Sequence, residues 1–310
     1  MQNPFTQLSP RFSLAWKFWR TLSFNFNTGI YYQLPPYTVM GFRSNAGTLV
    51  NQPDLKYIQN KHLIGGFEWN YTSTGKLTLE GFYKRYKNYP FMLQDSVSLA
   101  NLGSDFGVVG NGPATTDSEG RSYGLEFMAQ QKLYKGFYGI LSLTLVRSEF
   151  TDASGNYKPS AWDNQYLVST TAGKKFKRNW EIGARWRFLG GAPYTPLDID
   201  RSSLISVWDI SGRGLLDYSQ VNSKRLNPAH QLDLRVDKKY FFKKWSLDLY
   251  FDVQNIYNFK ARFQPNLDVE RDVAGNPIPD PAKPGYYIMK SVANVSGTVL
   301  PTLGIVIELM

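Results

Sequence analysis

Residues 232–258 read LDLRVDKKYFFKKWSLDLYFDVQNIYN, and this stretch decides the fold. Leu232, Leu234, Val236 and Tyr240 share one parity, while Gln231, Asp233, Arg235 and Asp237 hold the other. After a tight turn at residues 242–244 the alternation restarts. Trp245, Leu247, Leu249, Phe251 and Val253 are set against Ser246, Asp248, Tyr250, Asp252 and Gln254. A period of two belongs to a β-strand, whose successive side chains point to opposite faces.

The same two-faced pattern recurs outward from this hairpin. Trp180, Ile182, Ala184, Trp186 and Phe188 alternate with Glu181, Arg185 and Arg187, and Tyr123, Leu125, Phe127 and Ala129 with Glu126 and Gln130. Leu63, Phe67, Trp69 and Tyr71 oppose Glu68 and Asn70; Leu77, Leu79 and Tyr83 oppose Glu80 and Lys84. Leu22, Phe24, Phe26 and Ile30 oppose Ser23, Asn25 and Asn27, and Phe12, Leu14, Trp16 and Phe18 oppose Arg11, Ser13 and Lys17. Residues 165–176 alternate poorly, and the sequence assigns them no faces. So many carboxylates and guanidiniums on a shared face would be costly in a dry core. A wet or plugged lumen accommodates them, with Leu, Phe and Ile turned to lipid and Trp or Tyr near the strand ends as girdles.

Composition agrees with an all-β membrane wall. Aromatic residues make up 15% of the 310, including 20 Tyr and 20 Phe, more than an ordinary core needs. Mean hydropathy of −0.36 and the lack of a long apolar run exclude a helical membrane protein, but a barrel passes that test because only alternate residues meet lipid. Cysteine is absent, which excludes disulfides, thiolate metal sites and a cysteine nucleophile. The two histidines, His62 and His230, lack partners at metal-ligand spacing and read as polar rim residues. The net charge of +10 is spread over turns and strand ends rather than gathered in a stripe. It suits anionic lipid head groups and lipopolysaccharide, not nucleic acid.

Connections alternate between short and long. Short turns are expected near 242–244, 176–179, 132–136, 73–75 and 19–21, and long loops over 258–299, 190–228, 151–164, 87–119 and 33–59, rich in Gly, Pro, Asn and Asp. Short turns mark the periplasmic side and long loops the extracellular side. The last strand, over 300–310, places Leu303, Ile305, Ile307 and Leu309 on one face. The count is about eleven antiparallel strands running up and down. An odd number cannot close as a complete bacterial barrel, because an unpaired edge in hydrocarbon costs several kcal/mol per backbone group. The residues before Ser9 carry no signal peptide. The expectation is therefore a partial transmembrane β-barrel from a longer precursor.

Four segments resemble, over essentially the full chain, the C-terminal portion of TonB-dependent outer-membrane receptors, particularly those of Bacteroidetes. They are residues 31–42 (YYQLPPYTVMGF), 120–126 (GRSYGLE), 161–164 (AWDN) and the 232–258 hairpin. The terminal Met310 departs from the aromatic residue usual in that position. The resemblance implies a 22-stranded barrel around an N-terminal plug, of which residues 1–310 would be the C-terminal half, with the plug, the TonB box and the other barrel half lying elsewhere. It also implies energised uptake, through a TonB complex, of an extracellular nutrient such as a ferric siderophore, cobalamin or an oligosaccharide, with no cofactor.

Inward charges of both signs, Glu68, Glu80, Lys84, Glu126, Arg185, Arg187, Asp233, Arg235, Asp248 and Asp252, suit hydrogen bonding to a polar plug better than a single-sign ion filter. Tyr31, Tyr37, Phe42 and Trp162 in the outer loops are candidates for stacking on a ligand ring; loop-packing aromatics look the same in sequence. Asp152, Ser154 and Asn156 imitate a calcium loop, but Tyr157 stands where Gly is required. The cluster Asp268, Glu270, Arg271 and Asp272 could bind calcium or lipopolysaccharide-bridging cations, but it reads better as a solvated loop. No nucleophile elbow, phosphate loop, HExxH or paired-carboxylate motif is present, so the chain is not expected to be an enzyme. Two other functions compete: a passive porin-like channel, which the strand parity opposes, and a soluble β-sheet carbohydrate-binding protein, whose apolar stripes would need a second sheet.

Overall fold

The computed structural model describes residues 7–102 and 110–309; residues 1–6 and the terminal Met310 lie outside the described residues. Eleven principal strands form one antiparallel meander in which each strand pairs with its sequence neighbours. They are β1 (Arg11–Trp16), β2 (Leu22–Gln33), β3 (Ile58–Trp69), β4 (Gly75–Met92), β5 (Ala114–Tyr134), β6 (Phe137–Thr151), β7 (Tyr166–Lys175), β8 (Trp180–Leu189), β9 (Ala229–Phe241), β10 (Trp245–Gln254) and β11 (Leu300–Leu309). The sheet is open, with β1 and β11 as its edges.

Register fixes the two faces. Directly opposed residues share a face, and the rung Phe24–Phe67–Leu79–Phe127–Leu143 runs unbroken across β2 to β6. Among the described residues, no second layer covers these stripes. Leu303, Ile305 and Ile307 of β11 are 80%, 68% and 61% exposed, so a soluble reading, which requires a covering sheet, is set aside. Between the two edges, backbone groups in the wall are satisfied by neighbouring strands, the condition a hydrocarbon solvent imposes. Among the described residues, no helix is long and apolar enough to cross a membrane.

The strand without assigned faces gains them from its neighbours. Thr170 lies opposite both Trp186 and Leu141, and Val168 opposite Phe188 and Leu143, which puts Tyr166, Val168, Thr170, Ala172 and Lys174 on the apolar face. Ser, Thr, Ala and Gly on both parities had hidden this.

Turn chemistry explains the tight ends. Lys135 and Gly136 both adopt positive φ (49° and 81°), the geometry of a two-residue hairpin turn that matches strand twist. On the polar face, aromatic rings lie across glycines of the adjacent strand: Tyr250 over Gly304, Tyr138 over Gly173 and Phe150 over Gly120. Each ring fills the gap left by the missing side chain.

Two expectations are corrected. The connection expected over 87–119 is shorter, because β4 runs on to Met92 and β5 begins at Ala114. With 21 residues, β5 spans about 70 Å, far beyond the ~10 residues needed to cross a bilayer, so its upper half projects past the membrane. There the pattern is no longer apolar against polar, and Asp117, Ser118 and Glu119 read as loop. Tyr31, expected in an outer loop, is a strand residue of β2.

Buried apolar packing lies at the long-loop end. Val39 and Met40 of α1 (Tyr37–Met40) pack with Leu55, Met92, Ala114 and Leu99 of α2 (Leu99–Leu102). Asparagines staple the backbone around this cluster. Asn51 donates to the Val39 and Gly112 carbonyls and accepts from the Ala114 amide. Asn222 donates to the carbonyls of Asn101 and Pro159, joining three loops.

Candidate functional site

Two surfaces carry chemistry: the polar face of the wall and a chamber among the long loops. On the wall, β8, β9 and β10 bring charges into adjacent rungs, with Arg185 opposite Asp233 and Arg235 opposite Asp252. Arg187 pairs with Asp233 at 3.3 Å. Arg235 grips Asp237 through Nε and a terminal nitrogen at 2.9 and 2.6 Å, and its guanidinium lies 3.8 Å over the Tyr250 ring. Tyr138 donates to Glu181 at 2.5 Å, and Lys175 approaches the same carboxylate at 3.5 Å. On the other flank Lys76 and Asn70 hold Glu68.

Some of these charges are left uncompensated. Glu80 and Glu126 face each other directly across β4 and β5, with no basic partner among the described residues. Arg187 Nε, Asp248 Oδ1 and Asp252 Oδ1 are buried without a hydrogen-bond partner. Lys84 lies between His62 and Ser122 on the same face.

The loop chamber forms where four connections meet. One cavity of about 810 Å³ is lined by Trp162, Tyr194, Tyr218, Phe263, Arg213 and Asn222, among others. A second, of about 850 Å³, brings Asp95, Arg201 and Asp217 to the same Arg213 and Tyr218. Burial pushes the Asp95 carboxyl and the Tyr218 phenol up, and the nearby Asp95 charge adds to the latter. Ser219 and Gln220 donate to Asp217 and hold its carboxyl below the usual range. The chamber therefore presents rings, two guanidiniums and carboxylates of contrasting acidity.

Of the four aromatic candidates, Trp162 alone lines this chamber. Tyr31 stacks on His62 in the wall, with centroids 4.3 Å apart, and the Arg11 guanidinium lies 4.4 Å from the centre of the same Tyr31 ring. Tyr37 projects from α1, 83% exposed, and Phe42 lies in the following loop. Tyr194, Tyr218, Phe263 and Arg213 were not singled out in the sequence, where nothing separates them from other loop residues; only the fold brings them together.

The remaining motifs are satisfied locally. Asp152 accepts from the Ser154 and Asn156 amides, and Asp272 from those of Ala274 and Asn276, both as turn-forming side chains. His62 contacts Asn27, and His230 contacts the Tyr257 hydroxyl. Among the described residues, no three His, Asp or Glu side chains converge as metal ligands.

The sequence model of the family described as "TonB dependent receptor-like, beta-barrel" matches residues 2–256. The chain belongs to that family. Its wall of lipid-facing stripes thus sits in the bacterial outer membrane, short turns to the periplasm and long loops outside. No curated protein matches the chain by sequence. Solved structures match in fold. The ferric-catecholate import receptor Fiu from E. coli K12 aligns with TM-score 0.57 at 11% identity, over 97% of this chain and 34% of that one. The FrpB iron transporter from Neisseria meningitidis aligns with TM-score 0.58 at 15% identity, over 98% and 39%. The siderophore receptor PiuA from Acinetobacter baumannii gives TM-score 0.59 at 12% identity, over 97% and 35%. The chain spans a little over a third of the length of these structures.

Proposed function

We propose that the chain is the C-terminal half of a TonB-dependent receptor barrel of the Bacteroidetes type that imports a scarce, bulky nutrient, with the ferric siderophore class favoured. Its polar face would meet a plug, its loop chamber would receive the ligand, and the TonB complex would energise release inward. The observation that carries this reading is the uncompensated charge on the lumen face. Like charges directly opposed across two strands are destabilising, and buried polar atoms demand partners. Glu80 opposite Glu126, with the orphaned atoms of Arg187, Asp248 and Asp252, asks for a polar body filling the lumen. The two guanidiniums and four aromatic rings of the chamber suit an anionic, ring-bearing chelate.

The test is uptake by cells whose receptor carries this chain, with ferric catecholate, ferric hydroxamate, cobalamin and maltooligosaccharide as probes. One probe is expected to accumulate, to stop on addition of a protonophore, and to lose uptake with Trp162→Ala combined with Arg213→Ala. Accumulation indifferent to the protonophore would make the protein a passive channel and overturn the proposal.

A further inference from the structure

The outward face of β3 to β6 carries an arrangement that nutrient uptake does not use. At one rung, Lys61, Arg85 and Arg121 stand side by side on three consecutive strands. Like charges in this position repel, and a sheet surface normally avoids them. Lys87 lies one outward step above Arg85, and Arg147 one step below Glu149. Four of these five cations meet carboxylates, Arg147 reaching Asp163 at 3.6 Å as well, and Lys61 meets none among the described residues. Glu119 binds Arg85 at 2.9 Å and Lys87 at 3.6 Å, and Glu149 binds Arg121 at 2.8 Å and Arg147 at 3.1 Å. The Arg85 and Lys87 side chains stay 49% and 43% exposed.

The height of this patch is set by what lies beneath it. The next outward rung downward is Leu63–Tyr83–Tyr123, with the two tyrosine rings stacked 6.4 Å apart, as in an interfacial girdle. Below that, Gly65 and Gly81 face each other between Phe26 and Leu125. The missing side chain at Gly81 leaves a shallow apolar groove bordered by Leu63, Tyr83, Tyr123 and Leu125, with Arg121 at its upper end. Four residues separate the arginine rung from the glycine rung, about 14 Å along the strand. The cations thus stand at head-group level and the groove at the top of the acyl chains.

We infer that the outer wall of β3 to β6 is a binding site for a phosphorylated, multiply acylated glycolipid of the outer leaflet. Its phosphates are held by Lys61, Arg85 and Arg121, and one acyl chain lies in the groove over Gly81. Charge complementarity selects the head group, since guanidiniums hold phosphate through paired hydrogen bonds. The groove distinguishes this lipid from a soluble phosphate.

The test uses receptor purified from outer membranes in mild detergent and binding read by native mass spectrometry. The probes are the bisphosphorylated acylated glucosamine disaccharide that anchors lipopolysaccharide, its dephosphorylated form, phosphatidylglycerol and inorganic phosphate. The bisphosphorylated probe should bind, with affinity falling about tenfold or more on removal of its phosphates or in the triple variant Lys61→Gln, Arg85→Gln, Arg121→Gln. Gly81→Leu, which fills the groove, should weaken binding about threefold to tenfold while leaving the head-group contacts in place. Should the triple variant not fold, the comparison of the phosphorylated and dephosphorylated probes on the unaltered protein still decides. Equal binding of phosphatidylglycerol, full competition by inorganic phosphate, or indifference to dephosphorylation would overturn the inference.

Discussion

The membrane wall and the loop cap above it are stabilised in opposite ways. In the wall the large apolar side chains are exposed and the backbone ladder does the holding, so stability comes from strand pairing and from lipid. In the cap, short segments with little regular structure are tied by buried polar side chains and one small apolar cluster. Asp163 shows the contrast best. Its carboxylate is fully buried, accepts from the Ser148 amide at 2.8 Å, pairs with Arg225 and lies 3.6 Å from Arg147. One side chain therefore fastens the connection after β6 to the long connection before β9. A charge that would be costly in the wall's outer face is what closes the cap.

This difference can be broken from either side. The largest effect is expected for Asp163→Ala, which leaves Arg225 without its buried carboxylate and the buried Ser148 amide without its acceptor, a loss of about 3–5 kcal/mol. It should appear as faster hydrogen exchange at residues 160–165 while the strands below stay protected. Next, Leu143→Arg, in the deeper Phe67–Leu79–Phe127 rung, places a guanidinium against acyl chains and should cost about 2–4 kcal/mol in urea unfolding from lipid vesicles. The same change at Ser142, on the polar face of β6, should cost far less; equal costs would erase the distinction between the faces. Asn51→Ala strands two carbonyls and an amide in the cap, and about 1–3 kcal/mol of local protection should be lost around Ala114.

The smallest effect concerns pH. Burial raises the Asp95 pKa above its unfolded value of 3.8, so the native chamber binds this proton more tightly than the opened one. Its contribution is fully present below pH 3.8 and is lost as pH rises through the raised value. Protection of the Leu93 amide, bonded to Pro113, should fall on going from ~pH 3 to ~pH 7, and Asp95→Asn should remove that dependence.

The same contrast explains what was legible in the sequence. In the wall, lipid on one side and water or plug on the other write a period of two into the residues, and the strands and turns around Leu232 and Trp245 could be placed from that alone. The signal failed where small residues occupy both faces, as in Thr170 to Gly173, and where β4 and β5 leave the membrane and the solvent becomes uniform. In the cap no period exists. Trp162 was a visible candidate, but Tyr194, Tyr218 and Phe263 meet it only through loop paths fixed by Asn222, which donates to the Pro159 carbonyl, and by Asp163, which accepts from Arg225. Tyr31 misled because its neighbours Pro35 and Pro36 signal a loop, whereas the strand continues to Gln33.

The central claim is that side chains of one parity touch acyl chains and those of the other do not. Because the chain has no cysteine, single cysteines at successive positions 246–253 of β10 can carry a spin label without background. In lipid vesicles, collision with oxygen should peak at 247, 249, 251 and 253, and collision with a water-soluble nickel chelate should be higher, relative to oxygen, at 246, 248, 250 and 252. Loss of that alternation, or protection from oxygen at every position, would contradict the account.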